Sequence, residues 1–266
     1  MPEESGVRCM SLDATIVMPY HERGRARDNL VKVFAGLRDQ GKYSFPEIHF
    51  NPVSGLKTFR DTKENIELLI ITDEASPPEF RKNVCHKTNV GIQMARGEVI
   101  VSLQQDIVAT PGTIERAINH LLLFPNVLLY PMVFKQNSPG DHQPGPYKPH
   151  QGAYEKFQVC SFFMVFNRER MISVGGLDED FATAWGFEDY EFMERASRHF
   201  SLEYTDYRMI PMMPTPQTAD FAGVHLWHPE AALRMDNQFL YYDKLKLPDR
   251  IANEGRKWGV LYDGEN

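Results

Sequence analysis

The chain has 266 residues, with 29 lysines and arginines against 36 aspartates and glutamates, and a formal net charge of −7. Hydrophobic residues make up 42% of it and charged residues 24%, which is typical of a folded globular protein and excludes a disordered chain. The acidic balance disfavours nonspecific binding to nucleic acid or to anionic membranes, because like charges repel at long range.

Apolar runs alternate with helical patterns along the first half of the chain. Strands are predicted at residues 14–18, 67–72, 99–103 and 127–133, and helices at residues 23–40, within 79–96 and at 111–124. This alternation predicts βαβ units and a mostly parallel sheet. In the second half, we predict a strand at 159–166, helices at 167–173, 188–199 and 231–245, and an extended segment at 222–227.

The cysteines and the most apolar segment both argue against an oxidising or membrane environment. Cys9, Cys85 and Cys160 are odd in number and far apart, so they predict neither a disulfide framework nor a zinc site. Residues 121–134 are apolar but interrupted by two prolines, and this stretch is too short to span a bilayer. The N-terminus lacks the pattern of a secretory signal. We therefore expect a cytoplasmic protein without stable membrane insertion.

Polar residues follow three of the predicted strands, at positions 19–23, 73–76 and 104–106. Because ligands of parallel α/β sheets bind at the carboxyl ends of the strands, these segments predict one site at one sheet edge. A Pro- and Gly-rich stretch at residues 135–158 predicts a long loop between the two halves.

Five segments, in this order, resemble glycosyltransferases of the GT-A fold: TIVMPYHERGR, LLIITDEAS, NVGIQMARGEVIVSLQQD, GGLDEDFATAWGFEDYEF and HLWHP. The chain is most similar to the family 2 enzymes, with a second half similar to β-1,4-galactosyltransferases. The resemblance implies a Rossmann-like nucleotide-diphospho-sugar transferase fold with a mostly parallel central sheet flanked by helices. It implies one domain over residues 1–266, with a nucleotide-sugar half at 14–134, the loop at 135–158, an acceptor and catalytic half at 159–245 and a C-terminal tail at 246–266.

A metal site is implied by the resemblance. In the resembled enzymes an Asp-X-Asp motif holds a divalent metal on the donor diphosphate, whose departure builds up negative charge. Here Gln104 stands in place of the first acid and only Asp106 remains. His225 and His228 align with the pair that completes the metal site in β-1,4-galactosyltransferases, and His228 is the better candidate of the two. Carboxylate and imidazole ligands suit Mn²⁺, with Mg²⁺ as the alternative.

Among the segments that resemble glycosyltransferases, the one from Trp185 to Asp189 is the most specific for the family. Carboxylates that open a helix are stabilised by its dipole, and adjacent acids push their pKa values apart. In the resembled enzymes the second acid is the general base, and this role maps onto Asp189. Glu188, the first acid, is then expected to hydrogen-bond the acceptor sugar. Both acids are also explained by a purely structural role in capping the N-terminus of the helix. The resemblance places four further residues against the sugars: Gly176, Asp178, Trp185 and Gly186.

Nucleotide contacts are implied at the strand ends, where Tyr20 is expected to flank a uracil ring and Asp73 to accept from the base. Arg96 is expected to reach the base or the phosphates. The full predicted set for the nucleotide-sugar is Pro19, Tyr20, His21, Arg23, Asp73, Arg96, Gln105 and Asp106.

The sequence therefore predicts a metal-dependent glycosyltransferase that moves a sugar from a nucleoside-diphosphate sugar, a UDP-sugar, to an acceptor hydroxyl with inversion. A retaining transferase, a nucleotidyltransferase and a carbohydrate- or nucleotide-binding module without catalysis stay open. The loop after the first strand is not Gly-rich, which disfavours a nucleotidyltransferase, whereas Gln104 favours the binding module. The acceptor also stays open among a glycan, a lipid-linked saccharide, a small molecule and a modified nucleobase.

Overall fold

The computed structural model describes residues 12–22, 26–81, 84–135, 145–146, 163–183, 186–204, 222–225, 236–247 and 249–263. Within these ranges the strands are β1 (Leu12–Pro19), β2 (Thr58–Lys63), β3 (Ile66–Ile71), β4 (Gly97–Leu103), β5 (Ile107–Ala109), β6 (Val127–Tyr130), β7 (Met132–Lys135), β8 (Gly145–Pro146), β9 (Phe163–Asn167), β10 (Ser201–Tyr204) and β11 (Ala222–His225). The helices are α1 (Ala26–Leu37), α2 (Val84–Met94), α3 (Thr113–Leu123), α4 (Arg168–Ser173), α5 (Glu188–Ala196) and α6 (Asp236–Leu245).

The central sheet has seven strands in the order β10-β6-β9-β4-β1-β3-β2. Strands β1, β3, β4, β6 and β10 share one direction, whereas β2 and β9 run against their neighbours. The prediction of a mostly parallel sheet is therefore wrong, and the sheet is mixed. The reason is that β9 inserts antiparallel between β4 and β6, and β2 pairs antiparallel with β3 as a hairpin. This mixed α/β architecture is consistent with a Rossmann-like fold.

Two apolar layers cover the two faces of the central sheet. Alternation along β1 sends Ile16 into a cluster with residues of α1 and α3, and Val17 into a cluster with residues of α2, α4 and α5. The sheet thus separates α1 and α3 on one face from α2, α4 and α5 on the opposite face.

A second sheet has four strands in the order β5-β11-β7-β8. Strand β5 follows β4 after only three residues, so this second sheet begins at the carboxyl edge of the central one. The long loop predicted at residues 135–158 lies outside the described residues apart from β8 and the last residue of β7.

The predicted tail packs against the fold over residues 249–263. The N–H of Ala252 donates to the carbonyl of Val174, and the N–H of Tyr262 donates to the carbonyl of Ala75 at 3.0 Å. Trp258 packs against the apolar cluster of α2, α4 and α5. This segment therefore belongs to the folded structure. Among the described helices, none has the length and apolar character needed to cross a membrane.

Candidate functional site

The carboxyl ends of β1, β3 and β4 bring three predicted turns together. Nδ1 of His21 lies 2.6 Å from Oδ2 of Asp73. The side chain of Gln105 pairs with both backbone groups of His21, since its Oε1 accepts from the N–H at 2.5 Å and its Nε2 donates to the carbonyl at 3.0 Å. The turns after the three strands are therefore one connected unit, as the strand-end rule predicts.

Lys87 of α2 ties this unit to the helix behind it. Its ammonium group is buried and donates to Oδ1 of Asp73 at 2.7 Å and to the carbonyl of Tyr20 at 3.1 Å. Burial opposes ionisation of Asp73, but the hydrogen bond with His21 and the charge of Lys87 outweigh it and lower the pKa of Asp73. Asp73 is therefore ionised, and its contact with His21 connects the end of β3 to the end of β1.

Two residues that are predicted to contact the nucleotide, Pro19 and Tyr20, are buried. Pro19 is the buried last residue of β1. The Tyr20 ring is also buried, packs edge-on against Phe50 with 5.5 Å between ring centroids, and donates its hydroxyl hydrogen to Glu22. It therefore offers no exposed ring face to a base in this structure. Arg23 lies outside the described residues.

The backbone of His225 lies opposite Ile107, the residue that follows Asp106. Asp106 is 3% exposed and immediately precedes β5. Strand β11 runs antiparallel to β5, and its register places His225 opposite Ile107. The fold therefore brings a residue from the C-terminal third of the chain next to the strand end that carries Asp106.

The predicted metal ligands lie partly beyond what the structure describes, since His228 and the side chain of His225 are outside it. Among the residues that it does describe, no group of three or more His, Cys, Asp and Glu side chains is arranged to hold a metal ion. The backbone register of β5 and β11 is accordingly the structural observation that bears on this site.

Arg96 lies at the opposite sheet edge, so the structure does not bring it together with the other predicted residues. It directly precedes β4, and its Nε donates to Oε1 of Glu67 at 2.7 Å. Glu67 is fully buried and also accepts from Thr15 and Arg60. Arg96 therefore compensates a buried carboxylate near the amino ends of the strands, which explains its charge without a nucleotide.

Gly176 packs closely against Asn89 of α2 and Trp258, and Asp178 contacts the C-terminal part of the chain. Gly176 has a φ of 66°, and a Cβ there would lie 2.5 Å from Oδ1 of Asn89. The carboxylate of Asp178 is buried and forms ion pairs with Lys244 at 3.1 Å and Arg250 at 2.7 Å. Close packing and charge compensation therefore account for both residue types.

The acid pair opens α5 after a left-handed turn. Gly186 and Phe187 have φ values of 88° and 67°, and such a conformation at a non-glycine residue is strained and clusters at functional sites. Asn237 of α6 is buried and donates to the carbonyl of Gly186 at 2.9 Å. The turn that precedes Glu188 and Asp189 is thus anchored to α6. Trp185 lies outside the described residues.

Glu188 is the more buried acid of the pair. Burial and, to a smaller extent, the negative charge of Asp189 together raise the pKa of Glu188 to about 8, and nearby backbone N–H groups only partly oppose this. In the described part of the chain, no hydrogen-bond partner faces its Oε2. Near neutral pH, Glu188 is therefore a protonated hydrogen-bond donor beside the half-buried Asp189.

Asp189 also lies near the carboxyl edge of the central sheet. Burial raises the pKa of Tyr130, the last residue of β6, and the charge of Asp189 raises it further. The same carboxylate acts on the buried thiol of Cys85 in α2, whose pKa is raised mainly by burial. Because β6 runs parallel to β1, β3 and β4, the acid pair and the Asp73–Asp106 turns occupy the same sheet edge.

Sequence reasoning missed Lys87 and Tyr130. Lys87 lies in a predicted helix, where a lysine is usually exposed, so its role appears only from its contacts. Tyr130 lies in the middle of the strand predicted at residues 127–133, whereas the structure divides this stretch into β6 and β7, so its place at a strand end appears only in the structure.

Glu188→Gln is expected to change how stability depends on pH. The unfolded chain releases this proton near 4.5, whereas the folded protein holds it to about 8. The contribution of Glu188 to stability is therefore fully present below the lower value and is lost as pH rises through the higher one. Glutamine stays neutral, so Tm of the variant relative to wild type should be higher at about pH 9 than at about pH 5. Thermal unfolding of both proteins measures this, and a Tm difference independent of pH would contradict the assignment.

Comparison with known families finds one matching segment. A family model described as the N-terminal domain of galactosyltransferase matches residues 149–215, about a quarter of the chain. The matched segment contains β9, α4, α5 and β10 and therefore includes the acid pair. A search of curated proteins found no match. The segment match supports a glycosyltransferase-like domain, and such a domain implies a sugar donor and an acceptor.

Proposed function

We propose that this protein is a metal-dependent, inverting glycosyltransferase that transfers a sugar from a UDP-sugar to an acceptor hydroxyl. The observation that carries the proposal is the position of Glu188 and Asp189. They open α5 within the galactosyltransferase-like segment, at the sheet edge that also carries Asp73 and Asp106. One edge thus holds both an acid pair suited to proton transfer and the turns suited to a nucleotide diphosphate.

A divalent metal fits the donor set at this edge. Asp106 would supply a carboxylate oxygen, and the register of β5 and β11 places the backbone of His225 beside it, with His228 three residues further. Carboxylate and imidazole together suit Mn²⁺, with Mg²⁺ as the alternative. When bound, the ion supplies positive charge that offsets the negative charge of the departing diphosphate.

Asp189 and Glu188 have different roles in the transfer reaction. Asp189 removes the proton from the acceptor hydroxyl, whose oxygen forms a bond to the anomeric carbon on the face opposite the leaving group. The bond from that carbon to the diphosphate oxygen breaks, and its electron pair leaves with UDP. Glu188 keeps its proton and donates a hydrogen bond to the acceptor, which orients the attacking oxygen. One displacement of this kind inverts the anomeric configuration.

A ligand-binding module without catalysis is the second candidate. One observation favours it: Gln104 stands where an acid is usual. A module of this kind would bind a nucleotide without turning over a nucleotide-sugar. Binding and turnover are therefore measured separately.

Nucleotide binding is tested by thermal unfolding with UDP, GDP and UDP-glucose, each with and without Mn²⁺. A ligand at one hundred times its Kd stabilises the folded state by about 2.7 kcal/mol, so we expect Tm to rise by about 5 °C or more with a uridine ligand plus Mn²⁺. A response to none of these ligands contradicts both candidates. Binding without release of sugar from UDP-glucose, UDP-galactose or UDP-N-acetylglucosamine favours the binding module.

A further inference from the structure

Two buried side chains that feel the charge of Asp189, Tyr130 and Glu188, each have a polar atom without a hydrogen-bond partner among the described residues. Tyr130 is 1% exposed, and its hydroxyl oxygen has no partner in the ranges that the structure describes. The same holds for Oε2 of Glu188. Buried polar groups are nearly always hydrogen-bonded, so two exceptions near one carboxylate require an explanation.

The surroundings of Tyr130 do not explain its hydroxyl group. The ring belongs to the apolar cluster that contains Phe192 and Met193 of α5 and Cys85 of α2. Phenylalanine would fill the same space in this cluster without burying an unpaired hydroxyl. Tyrosine at this position is therefore unfavourable for the free protein unless a ligand uses the hydroxyl.

We propose that Tyr130 is an acceptor-binding residue, whose hydroxyl forms the inner end of the acceptor site together with the carboxyl group of Glu188. This inference rests on the proposed function. Tyr130 ends β6 at the sheet edge of the candidate site, and its ring packs in the same cluster as the helix that begins with the acid pair. Binding of an acceptor supplies hydrogen bonds that both groups do not form with the described residues.

The chemistry of the two groups defines the acceptor class. A phenol and a protonated carboxyl group are both neutral and can both donate a hydrogen bond, while each also retains an acceptor oxygen. A ligand hydroxyl can accept from one of them and donate to the other. An anionic ligand would instead meet the carboxylate of Asp189. The site therefore fits an uncharged, polyhydroxylated acceptor such as a neutral saccharide.

Tyr130→Phe tests this inference, with Tyr43→Phe as the matched control. Both tyrosines are buried, but the hydroxyl of Tyr43 donates to Asp13 at 2.7 Å. Tyr43→Phe should lower Tm because it breaks a formed hydrogen bond, whereas Tyr130→Phe should leave Tm unchanged or raise it. A decrease in Tm for Tyr130→Phe as large as for the control would overturn the proposal, because the hydroxyl would then be paired within the fold.

Binding is measured by titrating methyl β-D-glucopyranoside, methyl β-D-galactopyranoside and methyl β-D-xylopyranoside into each protein, with UDP and Mn²⁺ present. We expect at least one glycoside to bind Tyr130→Phe about 3–10-fold more weakly than wild type, the effect of one neutral hydrogen bond. Tyr43→Phe should bind like wild type. Equal affinities for wild type and Tyr130→Phe, or no binding of any glycoside to wild type, would overturn the assignment.

Turnover separates this inference from the proposed function. If wild type transfers sugar to a glycoside, Tyr130→Phe should raise KM for that glycoside about 3–10-fold and change KM for the UDP-sugar less than about twofold. If wild type neither binds nor cleaves a UDP-sugar, the proposed function fails, and the same glycoside titrations are repeated without UDP and Mn²⁺ to decide whether Tyr130 binds a neutral saccharide.

Discussion

Asp189→Asn is expected to slow sugar transfer by about 10²–10⁴-fold, the usual effect of losing a general base. Asparagine keeps the size of the side chain but no longer accepts the acceptor proton at neutral pH. Binding of UDP and the UDP-sugar should survive, because the nucleotide turns belong to β1, β3 and β4 and not to α5. Donor affinity and transfer rate are measured on the same preparation of the variant.

The matched control for Asp189→Asn is Asp28→Asn, which removes an acid from the first turn of α1 and should transfer at the wild-type rate. A near wild-type rate for Asp189→Asn would contradict the inverting assignment and favour a retaining transferase. Loss of folding or of nucleotide binding in Asp189→Asn would show that the acid pair only caps α5.

Removal of the metal is expected to abolish transfer, and added Mn²⁺ should restore it. Asp106→Asn should lower the rate by about 10²–10³-fold at a fixed Mn²⁺ concentration, because the charge on the leaving diphosphate loses its counterion. Histidine must be neutral to bind a metal, so transfer should also decline below about pH 6. Rates across a Mn²⁺ titration of wild type and variant measure this effect.

The control for the metal experiment is Asp61→Asn, on the edge strand β2, which should behave as wild type at every Mn²⁺ concentration. Full transfer in EDTA after exhaustive dialysis would contradict metal dependence. Equal Mn²⁺ requirements for wild type and Asp106→Asn would remove Asp106 from the proposed ligand set.

Hydrophobic patterns located most elements of the central sheet, because β1, β3, β4 and β6 consist mainly of apolar residues. Strand β2 was missed since its sequence, TFRDTK, alternates half-buried and exposed residues at a sheet edge. The hydrophobic pattern also does not predict the direction of β9. An apolar run indicates burial on both faces but does not show whether the strand runs parallel to its neighbours.

Contacts between neighbouring strand ends could be expected from the sequence, whereas contacts that depend on distant packing could not. His21, Asp73 and Gln105 follow strands and meet as expected. Gly176 is a glycine because Asn89 and Trp258, both far away in sequence, approach it closely. No local pattern reveals such contacts.

Arg96 is a different kind of error. It precedes β4 in the chain, and a residue before a strand lies at the amino edge of a sheet whose ligands bind at the carboxyl edge. The strand-end rule, applied to both ends of β4, places Arg96 away from the site.

The most direct test of the central claim needs no knowledge of the acceptor. Purified protein with Mn²⁺ and an α-linked UDP-sugar is followed by proton NMR while water acts as a slow acceptor. If Asp189 directs a single displacement, the first free sugar to appear is the β-anomer, before mutarotation mixes the two forms. Initial release of the α-anomer, or no release at all, would contradict an inverting transferase at this site.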